Sequence, residues 1–265
     1  MITAQLRSSW RYRHFIGSAI RSEMRLRFVN SRIGALWFIL HPLAMAAIYA
    51  LILSQVLGAK IPNVESDLGY SVFLISGIAA WSLFQEIANR CITVFLDYAN
   101  ALKKISFPRS VLPAIVTGSA LISHGFLLVA AMIVFIAFGH YPTFAWLAVP
   151  LGLAVISVLA LGLGLMLGVF NVFARDVQQV MMVVLNLWFW LTPIVYPKEI
   201  VPEQMQIIID LNPVTSLVAY YQQIMLHQQW PDLTLLLYPG GVALVLIVIS
   251  LLVFRRASPD IVDVL

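Results

Sequence analysis

The 265-residue sequence predicts an all-α integral membrane protein with six transmembrane helices, an N-terminal amphipathic helix in the membrane interface, and short re-entrant helices between spans five and six. Three observations carry this expectation. Hydrophobic residues make up 61% of the chain and charged residues 11%, a balance suited to lipid rather than water. Several apolar stretches reach the roughly 20 residues that a helix needs to cross a hydrocarbon core about 30 Å thick. Lysine and arginine also gather on alternate connections, the bias that sets membrane topology.

The elements follow in chain order. Residues 1–34 read as a cytoplasmic and interfacial segment, because no small-residue cleavage pattern marks them as a secretory signal. At 100° per residue, Ile16, Ala19, Ile20 and Met24 share one side of a helix, and Arg11, Ser18, Arg21, Ser22 and Arg25 the other. Such a helix lies in the interface with its apolar face down. Residues 35–256 form the transmembrane domain, with apolar windows at 36–57, 70–94, 111–138, 144–173, 180–196 and 233–254. Residues 257–265 are a cytoplasmic tail.

Arg7, Arg11, Arg13, Arg21, Arg25, Arg27 and Arg32 precede the first window. Lys103, Lys104 and Arg109 lie between the second and third, Arg175 follows the fourth, and Arg255 and Arg256 follow the sixth. The other connections carry only Lys60 and Lys198 against Glu65, Asp67, Glu199, Glu203, Asp210 and Asp232. Both termini are therefore expected in the cytoplasm. Between windows five and six, Pro193, Pro197, Pro202 and Pro213 cut the chain into pieces too short or too polar to cross. Helices at 202–210 and 213–227 would either dip into the outer leaflet under a protein or water cover, or form an interfacial collar. On the cytoplasmic side, residues 96–110 contain a short amphipathic helix with Leu96, Ala99, Leu102 and Lys103 at helical spacing. This pattern fits a docking helix, with a solvated turn as the plainer alternative.

The patterns NSRIGALWFILHPL, NVFARDVQQVM, WFWLTPIVYP followed by LNPVTSLVAYYQ, and the terminal FRRASPDIVDVL occur in this order from about Arg25 to Leu265. Together they resemble the transmembrane subunit of bacterial ABC exporters for O-antigen, capsule and related polysaccharides. The resemblance implies a bacterial inner-membrane permease that pairs with a second copy of itself and with two copies of a cytoplasmic ATP-binding subunit. A lipid-linked polysaccharide and membrane lipids are the further partners expected, and no nucleic acid is. The nearer alternative is an ABC permease for another amphiphile, such as teichoic acid, lipid or drug. Others are an ATP-independent channel or secondary transporter and a membrane-embedded glycan transferase.

The sequence has no G-x-x-x-x-G-K-[ST] loop, so ATP and its magnesium are expected on the partner chain and no cofactor on this one. No catalytic residue and no metal site are expected, since no His-Glu-x-x-His, paired-cysteine or Ser–His–Asp arrangement stands out around the single cysteine, Cys91. A sugar path calls for aromatic rings that stack on C–H faces. Its candidates are Trp37, Tyr49, Trp81, Phe84, Trp188, Trp190 and Tyr196, set against the aromatic belt that tryptophan and tyrosine form by default at membrane interfaces. Glu86 and Arg90 join them as ionisable groups four residues apart within a span, where they pair with each other, face the path or pin span two to a neighbour. Arg25, Arg27 and Arg32 are candidates to receive a lipid-linked pyrophosphate, because the guanidinium fork suits phosphate; topology alone also accounts for them. ATPase-coupling candidates are Leu96, Ala99, Leu102, Lys103, Lys104, Arg175 and Asp176. Ala160, Gly164 and Gly168 form a small-residue stripe for close helix packing, within the subunit or across a dimer.

Overall fold

A computed structural model describes residues 12–29, 67–104, 111–137 and 139–258, together with positions 40, 44, 109 and 261. Among these residues the α-helices are α1 (Arg13–Val29), α2 (Asp67–Asp97), α3 (Ala99–Lys104), α4 (Val111–Ala137), α5 (Val149–Phe173), α6 (Asp176–Trp190), α7 (Glu203–Asp210), α8 (Pro213–Met225) and α9 (Leu237–Ala257), and no strand is present. The all-helical expectation holds. Of the first window, 36–57, only positions 40 and 44 are among the described residues.

Among the described residues four segments are long and apolar enough to cross a membrane: Gly69–Asp97, Val111–Ala137, Phe144–Phe173 and Leu233–Ala257. They correspond to windows two, three, four and six. The fifth window differs, because its helix α6 begins at Asp176 and stops at Trp190 after 15 residues. At 1.5 Å per residue α6 spans about 22 Å, short of the bilayer core. Pro193 and Pro197 follow its end and prevent the helix from continuing.

Helix α5 is the central element, packed most extensively against α2 and α9. Its glycines make this approach possible. A Cβ on Gly164 would meet Cys91 Cβ at 2.6 Å and the Ala88 carbonyl oxygen at 2.9 Å, and Gly168 faces Cys91 and Ile92 in the same way. On another face, a Cβ on Gly162 would lie 2.9 Å from the backbone nitrogen of Ile247. The small-residue stripe thus serves contact within the subunit, where backbones approach closely and dispersion contacts accumulate.

The ends of the helices define two faces of the bundle. Phe95 near the end of α2 stacks on Phe254 near the end of α9 at 5.6 Å. Asn171 near the end of α5 donates to the Ile92 carbonyl at 3.0 Å. Helices α2, α5 and α9 therefore run in one direction, and α4 returns in the other. Lys103, Arg109, Arg175, Arg255 and Arg256 all belong to this end, with Arg255 and Arg256 in the last turn of α9, where they complement the helix dipole. At the opposite end, Tyr70 Oη donates to Val195 O at 2.8 Å, Tyr220 Oη to Ala148 O at 2.8 Å, and His140 Nε2 meets Met225 O at 2.5 Å.

Candidate translocation path and coupling surface

The aromatic candidates fall into two groups. Trp81 and Phe84 of α2 are buried and pack their rings against α6. Their centroids lie 6.5 Å and 5.3 Å from that of Trp188, and Phe189 is 5.7 Å from Trp81. These edge-on contacts are the favoured geometry for aromatic quadrupoles. Both indole N–H groups are satisfied: Trp81 donates to Gln85 Oε1 at 3.1 Å and Trp188 to Asn212 Oδ1 at 2.8 Å. Trp190, by contrast, is 54% exposed, and half-buried Tyr196 donates its hydroxyl to the Trp190 carbonyl at 2.8 Å. Trp37 and Tyr49 lie outside the described residues.

Asn212 was not singled out from the sequence, yet it organises this region. Its Oδ1 also accepts from Val214 N at 3.0 Å, capping α8, and its Nδ2 donates to Thr192 Oγ1 at 2.9 Å. The signal was available: an asparagine before a proline and an apolar run marks a helix start, with Asn212 at the N-cap and Pro213 in the first turn. Helices α7 and α8 start close to the expected positions, at Glu203 and Pro213.

Glu86 and Arg90 do meet, at 3.6 Å. Arg90 makes closer contacts elsewhere: Nη2 forms an ion pair with Glu23 Oε1 on α1, and Nη1 donates to Ser119 Oγ on α4 at 2.7 Å. Glu23 was also missed. It is the only acid in α1 and lies three residues after Ile20 and four after Ala19, at the edge of the apolar face. That face is present as expected, but Met24 is buried and Ile20 lies against Gly118 of α4, so protein rather than lipid covers part of it. Nearby, burial and the Glu23 carboxylate push the Tyr98 hydroxyl pKa up, and Arg90 partly offsets them. Arg21 and Arg25 on the other face are exposed. Arg32 and the Arg27 side chain lie outside the described residues.

The coupling candidates gather at the basic end. Leu96 belongs to α2, and after Tyr98 the chain restarts as the six-residue α3, which carries Ala99, Leu102, Lys103 and Lys104. One expected helix is therefore two pieces. Ala99 and Leu102 are half-buried and Lys103 is exposed; the Lys104 side chain lies outside the described residues. Arg175 and Asp176 are exposed at the start of α6, where the acid complements the helix dipole. Asn171 ties this turn to α2, since its Oδ1 accepts from Gln178 N at 3.1 Å while its Nδ2 holds the Ile92 carbonyl.

Among the described residues, a helical bundle with four membrane-length apolar helices and a basic end defines an integral membrane protein. The chain belongs to the ABC-2 type transporter family, whose model matches residues 15–226. It is 28% identical to the O-antigen export system permease protein RfbA of Myxococcus xanthus, over 97% of this chain and 98% of that one. It is also 28% identical to the protein of the same name from Klebsiella pneumoniae, over 92% of each chain. To the polysialic acid transport protein KpsM of Escherichia coli it is 25% identical, over 88% of this chain and 89% of that one.

Proposed function

We propose that this chain is the permease subunit of an ATP-driven exporter that moves a lipid-linked polysaccharide of the O-antigen type across the bacterial inner membrane. The observation that carries this reading is the alignment with an O-antigen export permease over nearly the whole of both chains. It acts as a homodimer with two copies of a separate ATP-binding subunit, which supplies the phosphate-binding loop that this sequence lacks and holds ATP and magnesium. The basic end, with Lys103, Arg109 and Arg175, faces the cytoplasm, and there α3 and the Arg175–Asp176 turn receive the partner.

The span count is six, with residues 36–57 supplying the first and α6 together with the non-helical residues 191–196 that follow it the fifth. Helices α7 and α8 form a re-entrant pair on the outer side. In support, α8 starts at Asn212 beside Trp188, which is still within α6, and its Tyr221 Oη reaches Nε2 of His124, halfway along α4, at 3.3 Å. Backbone that enters the bilayer in this way must be covered by protein, and Tyr220, Tyr221 and Ile224 of α8 are buried in the bundle. The uncovered face of α6, with Val183, Leu187 and Trp190 exposed, faces the second subunit and the sugar path. Arg25, Arg27 and Arg32 receive the anionic carrier at the cytoplasmic leaflet.

Deleting the gene in its host and assaying surface polysaccharide with specific antibody tests the reading. Loss of surface polysaccharide with intracellular accumulation, reversed by the gene together with its ATP-binding partner, is the expected result. Surface polysaccharide at the parental level after deletion refutes it.

A further inference from the structure

Helix α1 is held to the bundle by two different kinds of contact. The first is steric: a Cβ on Gly118 would lie 2.5 Å from Ile20 Cδ1, so the side chain of Ile20 occupies the space that glycine leaves open on α4. The second is ionic. Glu23 of α1 pairs with Arg90 of α2, and both side chains are largely covered, at 19% and 22% exposure. Arg90 also stands 3.6 Å from Glu86 Oε1 and donates to Ser119 at 2.7 Å. The two carboxylates differ in one mechanical respect. Glu86 sits one turn before Arg90 on the same helix and moves with it, whereas Glu23 moves with α1.

We propose that Arg90 is a positioning residue for α1, and that Glu23 and Glu86 are alternative carboxylate partners through which α1 is released and recaptured. A guanidinium left without a carboxylate in a low-dielectric setting is strongly disfavoured, which by itself would lock α1 down. A second carboxylate carried by the same helix removes that penalty, because Arg90 moves from Glu23 to Glu86 as α1 departs and remains paired throughout. Ser119 holds Nη1, the arm that already stands 3.6 Å from Glu86, so the exchange is a small rotation of the guanidinium away from Glu23. Release of α1 uncovers the surface of α4 around Gly118 and moves the exposed Arg21 and Arg25 with the helix. Resting on the exporter reading above, that uncovered surface is where a lipid-linked substrate with an anionic headgroup would approach.

The test uses the full chain purified in lipid nanodiscs. Cys91, the single cysteine, is replaced by alanine, and Met24→Cys, on the buried face of α1, reports exposure through its rate of maleimide labelling. Glu23→Gln should raise that rate by about tenfold, the factor expected from losing one charge-assisted hydrogen bond. Glu86→Gln should lower it below the parental rate, since the released state loses its partner. The double exchange Glu23→Arg with Arg90→Glu should restore slow labelling, which a general loss of folding would not do. Gel-filtration yield measured alongside identifies any variant that has not folded; if Glu23→Gln is such a variant, Glu23→Asp, which keeps the charge on a shorter side chain, replaces it and should label at an intermediate rate. Parental labelling in Glu23→Gln overturns the tether, and parental labelling in Glu86→Gln overturns the exchange. No ATPase or substrate is present, so these outcomes are independent of whether the exported molecule is a polysaccharide.

Discussion

The packing of α5 on α2 makes a strong prediction, because Gly164 has no room for a methyl group. A Cβ there would stand 2.6 Å from Cys91 Cβ and 2.9 Å from the Ala88 carbonyl oxygen, both part of or rigidly attached to the facing backbone. Gly164→Ala must therefore push two helices apart along an interface that also contains Gly168. Overpacking of this kind costs about 1–3 kcal/mol, partly offset by the roughly 1 kcal/mol by which alanine favours a helix over glycine. Gly164→Val adds volume and loses the propensity gain, so it should lie at or above the upper end. For a domain of this size the valine variant should melt roughly 5–10 °C lower. Gly125→Ala in α4 is the control: no described residue lies within 4 Å of its Cβ position, so among these contacts only the propensity gain remains. Thermal aggregation of detergent-solubilised protein, followed by fluorescence-detected gel filtration, reads both. A Gly164→Val protein as heat-stable as the parent would refute the close approach of α2 and α5.

Four further outcomes follow from the site. Reversing charge with Lys103→Glu and Arg175→Glu should reduce co-purification of the ATP-binding subunit at least fivefold while membrane insertion stays normal, and undiminished co-purification excludes these residues from the contact. Asn212→Ala removes the α8 cap and the partners of Trp188 and Thr192; it should destabilise by roughly 2–4 kcal/mol, and an unchanged melting temperature would count against its role as a hub. Trp81→Ala empties part of a packed core and should lower the folded amount, at about 3–5 kcal/mol. Trp190→Ala on the exposed face should leave that amount unchanged and lower export, so full export by this variant removes its ring from the path.

Helix type was largely legible because the spans are long apolar runs, and the windows at 111–138 and 144–173 coincide with helices to within a residue. The fifth window was set too far along the chain, since hydropathy continues past Trp190 through Leu191, Ile194 and Val195 while the backbone does not remain helical. Composition has no sensitivity to that distinction; the prolines at 193 and 197 do. At the site, the Glu86–Arg90 pair was visible because four-residue spacing on a helix is a local property. Its closest acidic partner, Glu23, was not, because 67 positions separate it from Arg90 and only packing brings them together. The same reason hid Asn171, whose two hydrogen bonds join α2, α5 and α6.

Those long-range contacts converge on α2, and its construction explains how one end of the bundle is linked to the other. Over 31 residues it extends about 46 Å as a continuous helix, free of proline, so it moves as a rod. At the basic end it leads through Tyr98 into α3, with Tyr98 accepting the backbone N–H groups of Ala101 and Leu102 at 3.0 Å and 2.9 Å. That joint is short and hydrogen-bonded, so a push on α3 is delivered to α2 rather than absorbed in a loop. Arg90 then carries it to α1 and α4, the Ala88–Cys91 surface to α5, the Trp81–Phe84 rings to α6, and Tyr70 to the Val195 turn. Close-packed contacts of this kind do not deform continuously; they slip between discrete arrangements. Displacement at the basic end would therefore reach the turn before α7 as a shift of α2 against its neighbours, and Gly77, whose Cβ position lies 3.1 Å from Ile194 Cγ2, marks where that shift would first be felt.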